Sequence, residues 1–331
     1  MAHKIALIFG VSGQDGAFLA KLLLDKGYVV HGTSRGSIKS LFPSLNILNI
    51  REKINLHSLS LRDPEKLLQI IERVEPCEIY NLSGQSSVAV SFAQPKMTTD
   101  SILDVTVNIL EAIRLVGKDI RFYNAASSEC FGDTDRIPAA EGTWFRPKSP
   151  YGIAKSEAFH KVVSYRETHS LHACSGILFN HESLLRPERF VTRKVSKAAA
   201  RIAMGSDEQL VMGDLSIERD WGWAPEYVLA MWAMLQREMP EDFVIATGRS
   251  ASLKSFVENV FSTVGLDWEN HVVQDQCLFR PSEIRYGCGD PTKARELLNW
   301  SAKLSLEDIA VRMVEYEMRR INGLPFRDLL F

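Results

Sequence analysis

One stretch near the N-terminus restricts the fold more than any other. Ile5-Ala6-Leu7-Ile8-Phe9 is apolar at every position, as a parallel strand buried on both faces must be. It runs into Gly10-Val11-Ser12-Gly13-Gln14-Asp15-Gly16, and then into Ala17-Phe18-Leu19-Ala20-Lys21-Leu22-Leu23-Leu24, apolar on one helical face and closed by Gly27. The glycines therefore stand between a strand and a helix. Gly10 permits a tight turn, Gly13 lets phosphates approach the backbone, and Gly16 lets helix and strand pack closely. The helix N-terminus adds free N–H groups and partial positive charge. The expectation is a dinucleotide-binding turn, with Ser12, Gln14 and Asp15 beside the three glycines; the alternative is an ordinary strand-to-helix connection.

The rest of the first half repeats the pattern. Strands are expected at 28–33, 54–57, 78–82, 120–126 and 173–178, and helices at 64–74, 97–116 and 150–169. Alternation of this kind means βαβ units with right-handed crossovers. Beyond about residue 180 the pattern is irregular, with helices expected at 192–204, 224–236, 253–264, 291–298 and 306–319. The fold class is α/β: a Rossmann-type doubly wound parallel sheet with a smaller C-terminal α/β substrate-binding region. The expected division is residues 1–178, completed by parts of 214–247, and residues 179–331.

Composition removes several classes. A net charge of −2 argues against a dedicated nucleic-acid binder. No apolar run reaches membrane-spanning length, and Met1-Ala2-His3-Lys4 leads straight into the first strand, so a cytoplasmic protein without a signal peptide is expected. The five cysteines are scattered without CxxC spacing and read as reduced thiols. The eight histidines form no HExxH pattern, and no metal is expected. The apolar tail 324–331 is too short to span a bilayer and reads as a docking strip.

The second strand ends in Ser34-Arg35, without the carboxylate that usually takes the ribose 2′-hydroxyl of NAD. Arg35 suits a 2′-phosphate, which favours NADP; a solvated surface arginine is the alternative.

Tyr151 and Lys155 are four apart and share a helix face. An ammonium beside a phenol favours the phenolate, so the spacing predicts a lowered tyrosine pKa and a base for a substrate hydroxyl. The pair taken alone also arises by chance on surface helices. Ser127-Ser128-Glu129 follows directly on a strand, at the edge where open sheets bind ligands. Ser127 can hydrogen-bond a reacting oxygen. Glu129 can take a proton from a carbon next to a newly formed carbonyl, which a simple dehydrogenase does not require; capping of the next turn is the plainer role.

Further motifs join these: Tyr80-Asn81-Leu82-Ser83-Gly84-Gln85-Ser86, Ser149-Pro150-Tyr151, Asn180-His181-Glu182-Ser183, Phe190-Val191-Thr192-Arg193-Lys194, Arg219-Asp220-Trp221-Gly222 and Phe279-Arg280-Pro281. With them the chain resembles, nearly end to end, the GDP-mannose 4,6-dehydratase family of extended short-chain dehydrogenase/reductases. The resemblance implies a homodimer or homotetramer with segment 35–44 at an interface, a GDP-linked sugar as substrate, and NADP as cofactor. It implies oxidation at C4 with Tyr151 as base, supported by Ser127 and Lys155. Glu129 would then remove the C5 proton as water leaves C6, and hydride would return to C6. It places Ser60, Leu61, Leu82, Ser83, Gln85, Ser86, His181 and Arg186, with Tyr151 and Lys155, against the cofactor. It places Ser128, Glu129, Asn180, Val191, Lys194, Gly213, Arg219, Arg280 and Glu283 against the nucleotide-sugar. Arg219 and Arg280 suit a diphosphate but could equally be structural ion-pair residues.

The chain departs from the family pattern at several points. Ser127 stands for a usual threonine, Ser60-Leu61 for an Asp-Leu pair, Met97 for a tyrosine and Leu184 for a proline. Leu184, Leu185 and Pro187 leave a GDP-manno-heptose open as the substrate. A nucleotide-sugar epimerase, a keto-sugar reductase and a non-enzymatic NADP-binding scaffold are the readings from other classes.

Overall fold

A computed structural model describes residues 4–35, 42–280 and 282–331. Most of the segment expected at an interface, and Pro281, lie outside the described residues. The first half alternates as anticipated: β1 (Ile5–Phe9), α1 (Gln14–Asp25), β2 (Val29–Ser34), α2 (Pro43–Ile47), β3 (Asn55–Ser58), α3 (Pro64–Val74), β4 (Glu78–Asn81), α4 (Val88–Ala93), α5 (Pro95–Thr99), α6 (Val105–Val116), β5 (Arg121–Ser127), α7 (Pro150–His169) and β6 (Ala173–Leu178). The helix expected at 97–116 is a composite: α5 and α6 are joined by a π-helical turn over Asp100–Asp104. A widened turn like this is invisible to a periodicity argument and is common beside functional sites.

The second half holds β7 (Asn180–Glu182), α8 (Val191–Ala203), β8 (Leu210–Met212), β9 (Glu218–Trp223), α9 (Ala224–Gln236), β10 (Phe243–Ile245), β11 (Ser250–Ser252), α10 (Leu253–Thr263), β12 (Val272–Gln274), α11 (Thr292–Leu298) and α12 (Leu306–Ile321). The five expected helices are present. The strands beyond residue 180 were not anticipated: all but the six-residue β9 have three residues, which carry too little periodicity to read, and β9 is buried at nearly every position without alternation.

Seven strands form one parallel sheet in the order β10-β6-β5-β4-β1-β2-β3. β10 joins it from beyond residue 178 by pairing with β6. β1 shows why the sheet is double-sided. Ala6 and Ile8 enter one core with Phe18 and Leu19 of α1, while Leu7 and Phe9 enter another with Leu67 of α3 and Ile109 of α6. The strand order reverses between β1 and β4, so the carboxyl ends of these strands open a crevice. Beside it stands a three-stranded sheet, β11-β9-β7, which carries part of the second half's contribution to that crevice.

The turn after β1 has the expected economy of space. Gly10 has φ +88°, and a Cβ there would sit 2.7 Å from the Leu82 carbonyl oxygen; at Gly16 a Cβ would sit 2.3 Å from the Gly10 oxygen. The C-terminal tail docks on its own chain: Leu329 and Leu330 are buried, and the Phe331 ring meets Phe18 edge-on at 5.8 Å. Among the described residues no helix is long and apolar enough to cross a membrane.

Candidate active site

A cleft of about 690 Å³ opens where β4, β5 and β6 end and β7 and β9 begin, lined by Ser127, Ser128, Glu129, Tyr151 and Lys155 among others. The sequence around Tyr151 explains its position. Ser149 caps α7 by accepting from the Gly152 N–H at 3.0 Å, and Pro150 takes the first helical place, where an N–H is not needed. Tyr151 and Lys155 then face the end of β5 from the first turn. Lys155 donates to the Ala125 carbonyl oxygen at 2.7 Å, and its Nζ lies 5.9 Å from the Tyr151 ring centre.

The electrostatics correct one expectation. Burial pushes the Tyr151 phenol well above its ordinary value; the hydrogen bond from Ser127 opposes this, and the charge of Glu129 adds to it. Burial also pulls Lys155 down to about 8. Desolvation thus sets the direction of the phenol's shift in the protein by itself, opposite to the one the helical spacing predicted. Glu129 is likewise raised, first by burial, against the opposing fields of Arg219 and Arg280. Its backbone N–H donates to Ser127 Oγ at 3.3 Å, and Ser149 Oγ donates to its Oε2 at 3.5 Å. Ser149 is the functional candidate that the residue types alone did not single out: it both caps the helix of Tyr151 and touches Glu129. Its place before Pro-Tyr was the available signal.

Of the residues expected against the cofactor, Asp15, Leu82, Ser83, Gln85, Ser86, His181 and Arg186 line the cleft. Gly10, Ser12, Gly13, Gln14 and Gly16 are not in its lining; they form the turn beside it. A dinucleotide fits this turn, since the glycine cradle leaves no room for side chains and α1 opens onto it. Arg35 is exposed just past the end of β2. Ser60 is exposed on the turn after β3, whereas the Leu61 side chain is buried in the core, and neither lines the cleft. Gln14, Asp15 and His181 are engaged with one another. His181 Nε2 meets Asp15 Oδ2 at 2.9 Å and Nδ1 meets the Phe179 oxygen at 2.7 Å.

Of the residues expected against the nucleotide-sugar, Asn180, Val191, Lys194, Gly213, Arg219, Arg280 and Glu283 also line the cleft. Arg219 donates to Glu283 at 2.7 Å and Arg280 to the same oxygen at 3.3 Å, so both cations reach the cleft through one shared carboxylate. Lys194 donates to the Val211 oxygen at 2.5 Å. Leu184 and Leu185 are buried in the core, and neither they nor Pro187 lines the cleft.

A family model described as GDP-mannose 4,6 dehydratase matches residues 7–313. The chain is similar to GDP-mannose 4,6-dehydratase from Sinorhizobium fredii (strain HH103), with 43% identity over 97% of this chain and 98% of that protein. It is similar to the GDP-mannose 4,6 dehydratase of Homo sapiens, with 41% identity over 97% of this chain and 93% of that one. Among solved structures, its fold resembles dTDP-glucose 4,6-dehydratase from Streptomyces venezuelae (TM-score 0.85, 18% identity, 98% of this chain and 99% of that one). It also resembles UDP-glucose 4-epimerase from Thermotoga maritima (TM-score 0.84, 22% identity, 96% and 99%).

Proposed function

Because the chain belongs to the GDP-mannose 4,6-dehydratase family, and so is a nucleotide-sugar hydro-lyase, we propose that its cleft converts GDP-mannose to GDP-4-keto-6-deoxymannose with Ser127, Glu129, Tyr151 and Lys155 as the catalytic group. The observation that carries this is Glu129, a carboxylate of raised pKa beside the Tyr151 and Lys155 pair in one cleft. The Gly10–Gly16 turn, Leu82, Ser83, Gln85 and Ser86 would hold a nicotinamide dinucleotide. When bound, that cofactor supplies a hydride acceptor, a positive charge on its ring and, once reduced, a hydride donor.

Tyr151 would act as its phenolate, which the positive ring of the bound dinucleotide would favour against burial, and so receive the proton of the 4-hydroxyl, with Ser127 hydrogen-bonded to the phenol and holding the same sugar oxygen. The 4-keto group makes the C5 hydrogen acidic. Glu129 takes that proton, and its carboxyl group stands to assist the departing C6 hydroxyl. Arg219, Arg280 and Lys194 neutralise the diphosphate, the two arginines turning to it from the carboxylate of Glu283 that they share. Substrate groups come chiefly from residues 179–331, and the dinucleotide turn from residues 1–178.

The test is isotopic. Deuterium placed at C4 of GDP-mannose should reappear at C6 of a product one water lighter, and excess NADPH should leave the yield unchanged. Stoichiometric NADPH build-up, or turnover of UDP- or dTDP-sugars alone, overturns the assignment.

Arg35 gives the reading its preference for NADP. It is an exposed cation at the end of β2, where a 2′-phosphate would lie. Arg35→Ala should weaken NADP by about tenfold or more, the scale of a lost charge-assisted contact, and leave NAD nearly unchanged. Equal losses in parallel titrations would rule this out.

A further inference from the structure

Gln14 and Asp15 stand in a turn read as a phosphate cradle, yet their side chains are directed elsewhere. Gln14 Nε2 donates to the His181 carbonyl oxygen at 3.2 Å, and Gln14 Oε1 accepts from Ser183 Oγ at 2.8 Å. Asp15 Oδ2 meets His181 Nε2 at 2.9 Å, while its Oδ1 accepts from Gln14 Nε2 at 3.0 Å. Ser183 Oγ in turn accepts from the Leu185 N–H at 3.1 Å. Gln14, His181 and Ser183 are buried, so each of these bonds is costly to leave unmade. The far side of His181 stacks on Tyr227 with ring centres 4.5 Å apart. His181 belongs to β7, whose neighbour β9 carries Arg219.

We propose that Gln14 and Asp15 are positioning residues: through His181 and Ser183 they bolt the substrate-side strands β7 and β9 to the first turn of α1, and so align the sugar with the dinucleotide. The geometry has a chemical consequence. Nδ1 of His181 must donate to the Phe179 oxygen and Nε2 to a carboxylate, which calls for the doubly protonated ring. The surrounding charges agree. Asp15 is held down at about 2 against its burial by His181, Gln14 and Arg186, and His181 is raised by Asp15 against burial and Arg186. Lys155 also faces Asp15, whose charge supports its ammonium. The sign follows from both partners. Asp15's contribution is present above the ordinary carboxylate range and fades as pH falls toward about 2. His181's contribution is complete below its ordinary value and is lost as pH rises through its raised one.

The test uses Asp15→Asn and Ser183→Ala in the full chain, with NADP titrated by calorimetry, dehydration of GDP-mannose followed, and the His181 ring titrated by NMR. A misaligned reaction centre lowers kcat steeply, so a fall of about tenfold or more is expected in each variant. NADP Kd should change by less than about threefold, short of the loss that follows removal of a direct hydrogen bond to a charged ligand. The His181 pKa should lie above the ordinary imidazole value in the unsubstituted protein and drop in Asp15→Asn. An NADP Kd weakened about tenfold or more in Asp15→Asn, an unchanged kcat, or a His181 ring that titrates at or below its ordinary value overturns the proposal. If Asp15→Asn does not fold, Ser183→Ala with the NMR titration of the unsubstituted protein decides. The kcat arm rests on the dehydratase reading. Failure of the unsubstituted protein on GDP-mannose would defeat that reading alone, leaving the NADP and NMR arms to judge the bridge.

Discussion

Tyr151→Phe should remove hydride transfer while leaving nucleotide-sugar binding in place. Loss of turnover on the order of 10²–10⁴-fold is the scale of a missing general base. The phenol is buried, hydrogen-bonded to Ser127 and pushed above its ordinary pKa. Its neighbour Lys155 does not replace it, being committed to the Ala125 carbonyl oxygen. Phenylalanine keeps the ring packing and deletes only the hydroxyl, so folding should survive. Single-turnover absorbance reads the result directly. A transient NADPH signal in this variant would mean that another residue takes the hydroxyl proton.

Glu129→Gln should stop the reaction at a later point, with turnover reduced roughly 10²-fold or more. Tyr151 remains, so oxidation at C4 should proceed and NADPH should accumulate in a single turnover. The two variants thus fail with opposite absorbance signatures, which separates them from general damage to the cleft. The pH profile adds a second reading. Glu129 has a raised pKa, and it acts as a base only when ionised, so kcat/KM should fall as pH drops through that raised value. Lys155, held down at about 8, loses its ammonium as pH rises through that value and sets the alkaline limb. Conversion of Glu129 to Gln should erase the acid limb and leave the alkaline one. A variant that turns over near the unsubstituted rate would end the assignment of Glu129 as the C5 base.

The residues of the chemistry were legible in sequence to the extent that they sit on regular elements. Tyr151 and Lys155 follow a Ser-Pro helix start, and Ser127, Ser128 and Glu129 follow an apolar strand, so local rules place all five at one sheet edge. The strands that close the cleft were not legible. β7 and β9 owe their existence to pairing with each other, and β8 to pairing with β12, more than sixty residues away in sequence. A three-residue strand has no periodicity of its own; its backbone bonds decide it.

The direction of the Tyr151 pKa marks the same boundary. Spacing brings the lysine onto the phenol's face of the helix, and that much is local. The degree of burial depends on how the fold encloses the site, and desolvation grows with that enclosure until it sets the direction of the phenol's shift. Gln14 and Asp15 show it again. Their place in a glycine turn follows from seven consecutive residues, but their partners, His181 and Ser183, arrive from more than 160 residues downstream. The chain's order of residues by itself determined the glycine turn, the parallel sheet and the candidate residues at its carboxyl edge, because each is set by near neighbours and by the two-sided burial of the strands. Only the tertiary structure decided which polar groups lose their water and which carboxylate each cation meets, because both depend on what the fold brings alongside them.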